Sequence, residues 1–352
     1  MGKKCKDPTL SASGLDMNKE KSDIYFNGMQ HGEIEHILNI SGFKPGVLPF
    51  RYLGIPISCK RMGIGDCTRL VEKVVARIRG WGAKKLSYAG RLVLIQAVLT
   101  QLHTYWTRIF IVPVTVIDRI EGVCRNYLWS GSEQYLRTPT VAWEKICREK
   151  KEGGLGIVNS RHWNTAMIAK YTGWLATKSD HLWIRWVDHI YMKGRGWFDY
   201  CPTANTSWTW RKICQVKDQV KLGFSNGIWT CTQGEYNVAS GYKWLMGQQQ
   251  PVLWYPLIWS KTIIPKHAFI GWLIVQERLL TKDRLLKFGV FNDGLCEFCQ
   301  DQLEDHRHLL IEAKVPCPRW IIQKVKYDIQ ARCRDRAWAL KIQKFPWEPS
   351  YD

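Results

Sequence analysis

Cys296 and Cys299, separated by two residues, are the residues in this sequence whose types and spacing most clearly suggest chemistry. A Cys-x2-Cys hairpin supplies two thiolates for one edge of a tetrahedral zinc site. The chain has twelve cysteines, and its first stretch, Met1–Ser11, is polar and basic instead of carrying the apolar core of an export signal. We therefore expect reduced thiols or metal ligands and no disulfide framework. The alternative reading is two free thiols.

The charge balance of the chain indicates a polyanionic partner. The 352 residues include 51 Lys and Arg against 31 Asp and Glu, a formal net charge of +20. A surplus of this size favours nucleic acid or an anionic membrane surface. The 19 Trp and 14 Tyr could stack on unpaired bases, although aromatic side chains more often fill protein cores. The longest uncharged stretch near the middle, Leu92–Trp106, is shorter than the ~18 apolar residues of a membrane span. We expect no membrane partner.

Three consecutive helices are predicted from apolar spacing and capping residues. The first begins near Asp66 and ends at Gly80–Gly82, the second follows Ser87, and the third follows Pro113. Short connections between them favour an antiparallel bundle. The side chains predicted to face inward are Leu70, Val74, Val75 and Ile78 on the first helix, Leu92, Ile95, Val98, Leu99 and Leu102 on the second, and Val116, Ile120, Val123 and Tyr127 on the third.

The polar faces of the first two helices are basic. Between Lys60 and Leu102 the sequence has nine Lys and Arg against two acidic residues. A charged helix face is usually only solvated, but a one-sided surplus on consecutive helices favours phosphate contacts. The residues predicted to bind nucleic acid are Lys73, Arg77, Lys84, Lys85 and Arg91.

The rest of the chain is less regular. Residues 49–57 read as a short extended segment in which Gly54 allows a tight bend, and Ser22–Phe26 is a strand candidate. A glycine-rich loop at residues 153–157 precedes a helix over Trp163–Ala176, and residues 200–235 read as connecting structure. A further helix, Lys266–Leu279, places Phe269, Trp272, Leu273 and Gln276 at helical spacing.

Several blocks, taken in order, resemble one family, the LINE-type (non-LTR) retrotransposon reverse transcriptases of plants. The resemblance covers roughly residues 13 to 312. The blocks that carry it are SGLDMNKEKSDIYF (13–26), PFRYLGIPI (49–57), residues 66–106, VAWEKICREKKEGGLGI (141–157), WNTAMIAKY (163–171), IPKHAFIGWLIVQERLLTKDRLLKFGV (264–290) and CEFC (296–299).

The resemblance implies a mainly α-helical fold: a helical thumb-like bundle, a Trp-rich helical connector and a small α-helical zinc-knuckle-type domain. The implied domains are a remnant of the C-terminal edge of the polymerase palm at 1–58, the bundle at 59–150, the connector at 151–250, the zinc-binding-like domain at 251–318 and a basic tail at 319–352.

Catalysis by this chain is not expected. The family's activity is RNA-directed DNA polymerisation, which needs carboxylates that share two divalent metal ions. In the family two of these are adjacent aspartates, and this sequence contains no Asp-Asp pair. Asp16, Asp23 and Asp66 read as turn or capping residues. We therefore expect no catalytic magnesium.

The resemblance also implies the remaining zinc ligands. His308 falls where the family has its histidine, in the run His308-Leu309-Leu310-Ile311. The family's fourth ligand, a cysteine, is replaced here by Ala313, which is a departure from the pattern. Cys317 is a substitute for it, and His306 is another. The predicted metal ligands are thus Cys296, Cys299, His308 and Cys317, with zinc as the cofactor.

The function implied is that of a nucleic-acid-binding fragment of a retrotransposon polymerase that contacts RNA or DNA through the backbone, with little sequence preference. Two alternatives stay open: the product of a decayed retroelement without function, and a domesticated zinc-binding interaction protein. A polymerase subunit that acts with a separate catalytic chain is a further, weaker reading. We expect the protein in the nucleus or cytoplasm and not outside the cell. The sequence does not determine the oligomeric state.

Overall fold

Helices make up most of the fold, as the sequence predicts. The computed structural model describes residues 18–308, except residues 19, 21, 27, 53, 59–60, 82–85, 109, 137, 226–235, 290–291 and 297–298. In this part of the chain no helix is both long enough and apolar enough to cross a membrane.

Short strands and one helix come first along the chain. They are β1 (Asp23–Ile24), α1 (His31–Ser41), β2 (Lys44–Pro45), β3 (Phe50–Tyr52) and β4 (Ile55–Ile57). β1 and β2 pair in parallel, whereas β3 and β4 form an antiparallel hairpin. Gly54 has φ +86° between β3 and β4, a conformation that glycine adopts without steric cost, so the predicted tight bend is confirmed.

The three predicted helices form the bundle. They are α2 (Thr68–Gly80), then α3 (Tyr88–Leu94), which continues through a π-helical turn at Ile95–Leu99 into α4 (Thr100–Thr107), and α5 (Val114–Ser130). Ser87 caps α3, because its hydroxyl accepts a hydrogen bond from the Gly90 amide at 3.3 Å. Asp66 does not cap α2: a 3-10 turn, Gly65–Cys67, comes before the helix, and the Asp66 carboxylate accepts from Gly63 N at 2.8 Å.

A short helix and a glycine loop follow the bundle. α6 spans Trp143–Ile146, and a 3-10 turn at Lys150–Glu152 leads into Gly153. Gly154 lies so close to Arg148 that a Cβ would sit 2.1 Å from the Arg148 carbonyl oxygen. This approach explains the glycine and bends the loop back onto α6, where Leu155 N donates to Ile146 O at 2.9 Å.

The Trp-rich segment is built on α7 (Ser160–Ala176), α8 (Leu182–Val187), α9 (Trp208–Ser225) and α10 (Val238–Met246). α9 and α10 both pack on α7. The reading of residues 200–235 as connecting structure was therefore wrong for residues 208–225. Its apolar side chains, Trp210, Ile213, Cys214 and Val220, lie at helical spacing and are buried.

The C-terminal described part contains α11 (Tyr255–Ile258), α12 (Pro265–Val275) and α13 (Lys282–Lys287). α12 is shorter than the predicted Lys266–Leu279, because the chain turns at Glu277, which has φ +52°. α12 packs against α3. Its Phe269, Trp272 and Leu273 join the same apolar core as the bundle residues.

Two large apolar clusters and a small third one, around Ala169 and Val220, organise these elements. The larger is formed by the bundle, the glycine loop and α12, and includes Ile78, Leu99, Ile120 and Trp272. The second, between α7, α8 and α9, is centred on Trp210, which contacts the rings of Trp183, Tyr191, Trp197 and Tyr200. The domain limits expected from the sequence stay predictions.

Candidate metal centre and basic surface

Cys296 and Cys299 lie in a tight hairpin. Leu295 and Leu303 form an antiparallel bridge, and Cys296 N donates to Gln302 O at 2.8 Å. Gln300 N donates to Cys296 O at 2.8 Å. The hairpin therefore brings the two thiols to the same side of one turn.

His308 completes a group of three ligand atoms. The Sγ atoms of Cys296 and Cys299 and a ring nitrogen of His308 all lie within 4.8 Å of one another. The Cys299 Sγ to His308 Nε2 distance is 3.2 Å. Tetrahedral zinc with Zn–S near 2.3 Å and Zn–N near 2.0 Å places its ligand atoms roughly 3.5–4 Å apart. The three side chains fit such an ion.

Electrostatics also favours metal binding at this hairpin. Backbone amides of Asp301 and Gln302, followed by His308 and Cys296, lower the pKa of the Cys299 thiol from 9.0 to about 7. A thiolate is the form that binds zinc. His308 is buried, and its Nδ1 has no hydrogen-bond partner among the described residues.

Acidic side chains fix the geometry around the three ligands. Asp305 Oδ1 accepts from His308 N at 2.6 Å and so holds the short turn that carries the histidine. The buried Glu304 accepts from Lys282 N at 3.1 Å through Oε1, while its carbonyl accepts from Asp283 N at 3.1 Å. The N-terminus of α13 is thereby fastened to the hairpin. Sequence reasoning missed both acids; the spacing of Asp305 before His308, typical of a capping residue, is the one local signal.

The structure does not identify a fourth ligand for the site among the residues it describes. Cys317 and Ala313 lie outside the described residues, so the structure tests neither. His306 is not part of the group of three. Within residues 18–308, as far as they are described, the site is a Cys-Cys-His set without a fourth protein ligand.

Comparison with known proteins relates this region to a described family. Residues 236–320 match the family model for zinc-binding in reverse transcriptase. All four predicted ligand positions, Cys317 included, fall inside the matched range. The chain is also 32% identical, over 175 residues, to a putative ribonuclease H protein of Arabidopsis thaliana. It is 23% identical, over 128 residues, to an uncharacterized mitochondrial protein of the same plant.

These matches are partial. The first alignment covers 48% of this chain and 28% of the relative, and the second covers 36% of this chain and 83% of the relative. The chain thus spans well under half the length of the putative ribonuclease H protein. The similarities support a retrotransposon-type protein related to reverse transcriptases.

Of the five residues predicted to bind nucleic acid, the structure describes Lys73, Arg77 and Arg91, and Arg91 lies in a different environment from the other two. Lys73 and Arg77 are exposed one turn apart on α2, and Arg69 extends the same row by another turn. The ammonium of Lys73 lies 3.2 Å from where a Cβ on Gly54 would sit, so this row passes beside the β3–β4 hairpin. Lys84 and Lys85 lie outside the described residues.

Arg91 has a different environment from Lys73 and Arg77. Its guanidinium donates from Nη1 to the carbonyl of Leu128 at 3.2 Å, near the C-terminus of α5, and lies 5.3 Å from the ring centroid of Tyr88. It is half-buried. The contact with Leu128 O supports the packing of α3 on α5, and nucleic-acid binding by Arg91 stays a prediction.

Proposed function

We propose that this chain is a nucleic-acid-binding part of a LINE-type retrotransposon RNA-directed DNA polymerase, with a zinc-stabilised hairpin in its C-terminal part. The observation that carries the proposal is the Cys296–Cys299–His308 group, which lies inside the range matched by the reverse-transcriptase zinc-binding family. The partner is RNA or DNA, contacted mainly through phosphates.

Zinc would be structural in this role. Cys296 and Cys299 would bind it as thiolates and His308 through Nε2, and the ion would supply a cross-link between the hairpin and the following turn. Such a cross-link is important here because the described part of the hairpin buries few apolar side chains. Zinc binding contributes directly to the folding free energy of small domains of this kind.

Backbone contacts are proposed for the basic row on α2. Lys73 and Arg77 are exposed and form no ion pair with a described residue, so both the ammonium and the guanidinium group can reach phosphates. Lys84 and Lys85 come four and five residues after the end of α2 in the sequence. We expect them to extend the same positive surface. Arg91 would act indirectly, by fixing α3 against α5 through Leu128 O.

Polymerase activity is not proposed for the chain by itself. Because it lacks an Asp-Asp pair, the purified protein should not extend a primer on an RNA template with Mg²⁺ or Mn²⁺. Incorporation that persists after repurification would contradict this part of the proposal. We place the protein in the nucleus or cytoplasm, where nucleic acid and reduced thiols coexist.

Two alternative functions make different predictions. A decayed retroelement product is favoured by Ala313, which stands where the family has its fourth ligand. A domesticated zinc-binding interaction protein would keep the metal but lose affinity for nucleic acid. Measurements of zinc content and of nucleic-acid affinity on one preparation separate these alternatives from the proposal.

The zinc experiment measures metal per chain in the wild type and in two variants. If water completes the site, Ala313→Cys should raise zinc affinity at least tenfold and raise the melting temperature only when metal is present. If Cys317 already completes the site, Ala313→Cys should change little and Cys317→Ser should release the metal. No zinc in the wild type, with neither variant changing this, would eliminate the zinc part of the proposal.

The binding experiment measures duplex affinity as a function of salt. Replacing Lys73, Arg77, Lys84 and Lys85 together by Gln should flatten the dependence of log K on log salt by roughly 0.9 for each phosphate that is no longer neutralised. The matched control replaces Arg119, Lys145, Arg211 and Lys261 by Gln, which removes the same charge from other parts of the surface. Equal slopes for the two variants would mean that net charge, and not the α2 surface, determines binding.

A further inference from the structure

A groove runs between the bundle and the C-terminal helices. It consists of two adjoining cavities of about 590 and 680 Å³. They share five lining residues: Tyr88, Trp129, Thr140, Arg278 and Leu280. One wall thus comes from α3 and the end of α5, and the other from the turn after α12 and from α13.

Aromatic rings form the floor of this groove. Tyr88 stacks on Phe269 with ring centroids 5.3 Å apart and an angle of 12°, and Trp129 lies 5.9 Å from Tyr88. Phe288 lines the second cavity with 59% of its surface exposed. An exposed aromatic face beside a buried aromatic floor can accept the face of an unpaired base.

The charged side chains on the groove are all positive. Arg91, Lys266, Arg278 and Arg284 line it, and no Asp or Glu is among its described lining residues. Burial and then the charge of Arg278 lower the pKa of Arg284, against a smaller opposite effect of Asp283. Because the two guanidinium groups repel each other, an anion bound near both of them would relieve the repulsion. By contrast, the cavity beside Cys147 has Glu149 and Glu152 next to Lys151 and Lys243, so its charges cancel.

Two buried donors on the groove have no acceptor. The indole Nε1 of Trp129, whose side chain is 4% exposed, and Nε of Arg91 are both without a hydrogen-bond partner among the described residues. The indole Nε1 atoms of Trp143, Trp163, Trp197 and Trp259 are unpaired in the same way, so these two donors do not by themselves mark the groove as a binding site.

We infer that the groove binds a single-stranded segment of nucleic acid, with a base against the aromatic side chains and phosphates against Arg278 and Arg284. The inference rests on the proposed function and names the strand type and the contact site. It separates two surfaces: the α2 row holds a duplex through its phosphates, and the groove holds an unpaired strand.

Charge and base stacking exclude the other occupants. A duplex keeps its base faces inside the stack, so it could use the cations but not Phe288. The chain's own tail at residues 319–352 is basic, with Arg and Lys well in excess of Asp and Glu, and would be repelled by the four cations.

The test uses the full chain with two probes, a thymidine oligonucleotide and an abasic oligonucleotide of the same length and charge. Wild-type protein should bind the thymidine strand at least about fivefold more tightly, because stacking contributes per base. Phe288→Ala should remove most of this preference and leave the abasic affinity unchanged. Trp186→Ala, which removes another exposed ring on α8, is the matched control and should keep the preference.

The cations are tested with Arg278→Gln/Arg284→Gln. This variant should lower affinity for both single strands and reduce their salt slope by roughly 0.7 for each phosphate that is no longer neutralised, while duplex affinity stays within about twofold. Arg278→Lys/Arg284→Lys should restore part of the affinity. Cross-linking of a 5-iodouridine strand, with mapping of the modified peptides to residues 86–91 or 278–288, checks the site in the unmutated protein.

The outcomes separate this inference from the proposed function. If the wild-type protein binds neither duplex nor single-stranded nucleic acid, both the proposed function and the groove inference are overturned. Three results would overturn the groove inference alone. They are equal affinity for the thymidine and abasic strands, an equal loss of preference in the Phe288→Ala and Trp186→Ala variants, and cross-links that map outside the groove. A selective loss with the Phe288 and Arg278/Arg284 variants supports it.

Discussion

The bundle and the cysteine hairpin are stabilised by different means. The bundle buries side chains such as Leu99, Ile120 and Leu128 almost completely. Beyond Leu273, the buried side chains among the described residues are one hydrophobic one, Cys296, and four polar ones: Thr281, Lys282, Glu304 and His308. Apolar burial contributes roughly 25 cal/mol for each Å² removed from water, so it stabilises the bundle but contributes little to the hairpin.

Under the proposed function, a metal ion would therefore stabilise only one of the two parts. We expect the buried apolar side chains of the bundle to stabilise it without an ion, whereas the hairpin would depend on a few hydrogen bonds and on its ligands. The two parts are joined by α12, where Trp272 is fully buried and its Nε1 donates to Gly153 O at 2.8 Å. We expect the bundle to tolerate loss of zinc, and the hairpin not to.

The largest change in stability is expected at Trp272, on the helix α12 that joins the two parts. Trp272→Ala should lower the free energy of unfolding by about 3–5 kcal/mol, because a large buried ring and its hydrogen bond are lost together. Val275→Ala, a partly exposed position on the same helix, should cost less than about 1 kcal/mol. Urea unfolding, monitored with and without chelator, measures both. If Trp272→Ala lowered the free energy of unfolding only when metal is present, apolar packing of α12 would not be what connects the bundle and the hairpin.

A pH effect is expected inside the bundle. His103 Nδ1 lies 3.1 Å from Leu99 O, an acceptor, so Nδ1 carries the proton and Nε2 accepts from the Ser160 hydroxyl at 2.9 Å. Burial lowers the pKa of His103 from 6.5 to about 4. The unfolded chain therefore binds more protons below pH 6.5, and stability decreases as the pH falls from 6.5 towards 4.

The loss from His103 should reach about 3 kcal/mol near pH 4. His103→Gln, which cannot titrate, should be less stable at pH 7 but should show a shallower decrease on acidification. Both proteins are unfolded in chelator, so that protonation of the zinc ligands does not contribute. Identical pH profiles would mean that His103 is not buried in neutral form.

The smallest effect is expected at the cap of α3. Ser87→Ala should cost about 1 kcal/mol, because the Gly90 amide loses its acceptor. Ser87→Asp should retain the cap and most of the stability. Thermal unfolding of the two variants checks this, and equal losses would show that Gly90 N finds another acceptor.

Sequence patterns predicted the elements that depend on local chemistry. Ser87 and Pro113 precede helices as expected, and Val116, Ile120 and Tyr127 are buried at the predicted spacing. The Cys296–Cys299–His308 group was also predicted, the pair from its spacing and His308 from the family resemblance. Helix starts, the spacing of buried side chains and the ligand group can be read from a few neighbouring residues or from a known motif.

Tertiary features could not be predicted in this way. At the π-helical turn, Ile95–Leu99, the side chains of Thr100 and His103 form hydrogen bonds with the carbonyls of Ile95 and Leu99, a pattern that the apolar spacing does not reveal. Asn164 pairs with groups more than fifty residues away: it accepts from Val112 N and donates to Thr107 O and Phe110 O. The groove likewise combines α3, α5 and α13, whose proximity no local pattern contains.

Hydrogen exchange of the full chain, in zinc and after chelation, distinguishes a metal-dependent hairpin from a metal-independent bundle. We expect amides of residues 292–308 to lose protection when zinc is removed, while those of α5 keep theirs. Re-addition of zinc should restore the hairpin, and Cys299→Ser should behave like the chelated protein in both conditions. Unchanged protection at residues 292–308 after complete removal of zinc, or equal loss in α5, would contradict this division of the molecule.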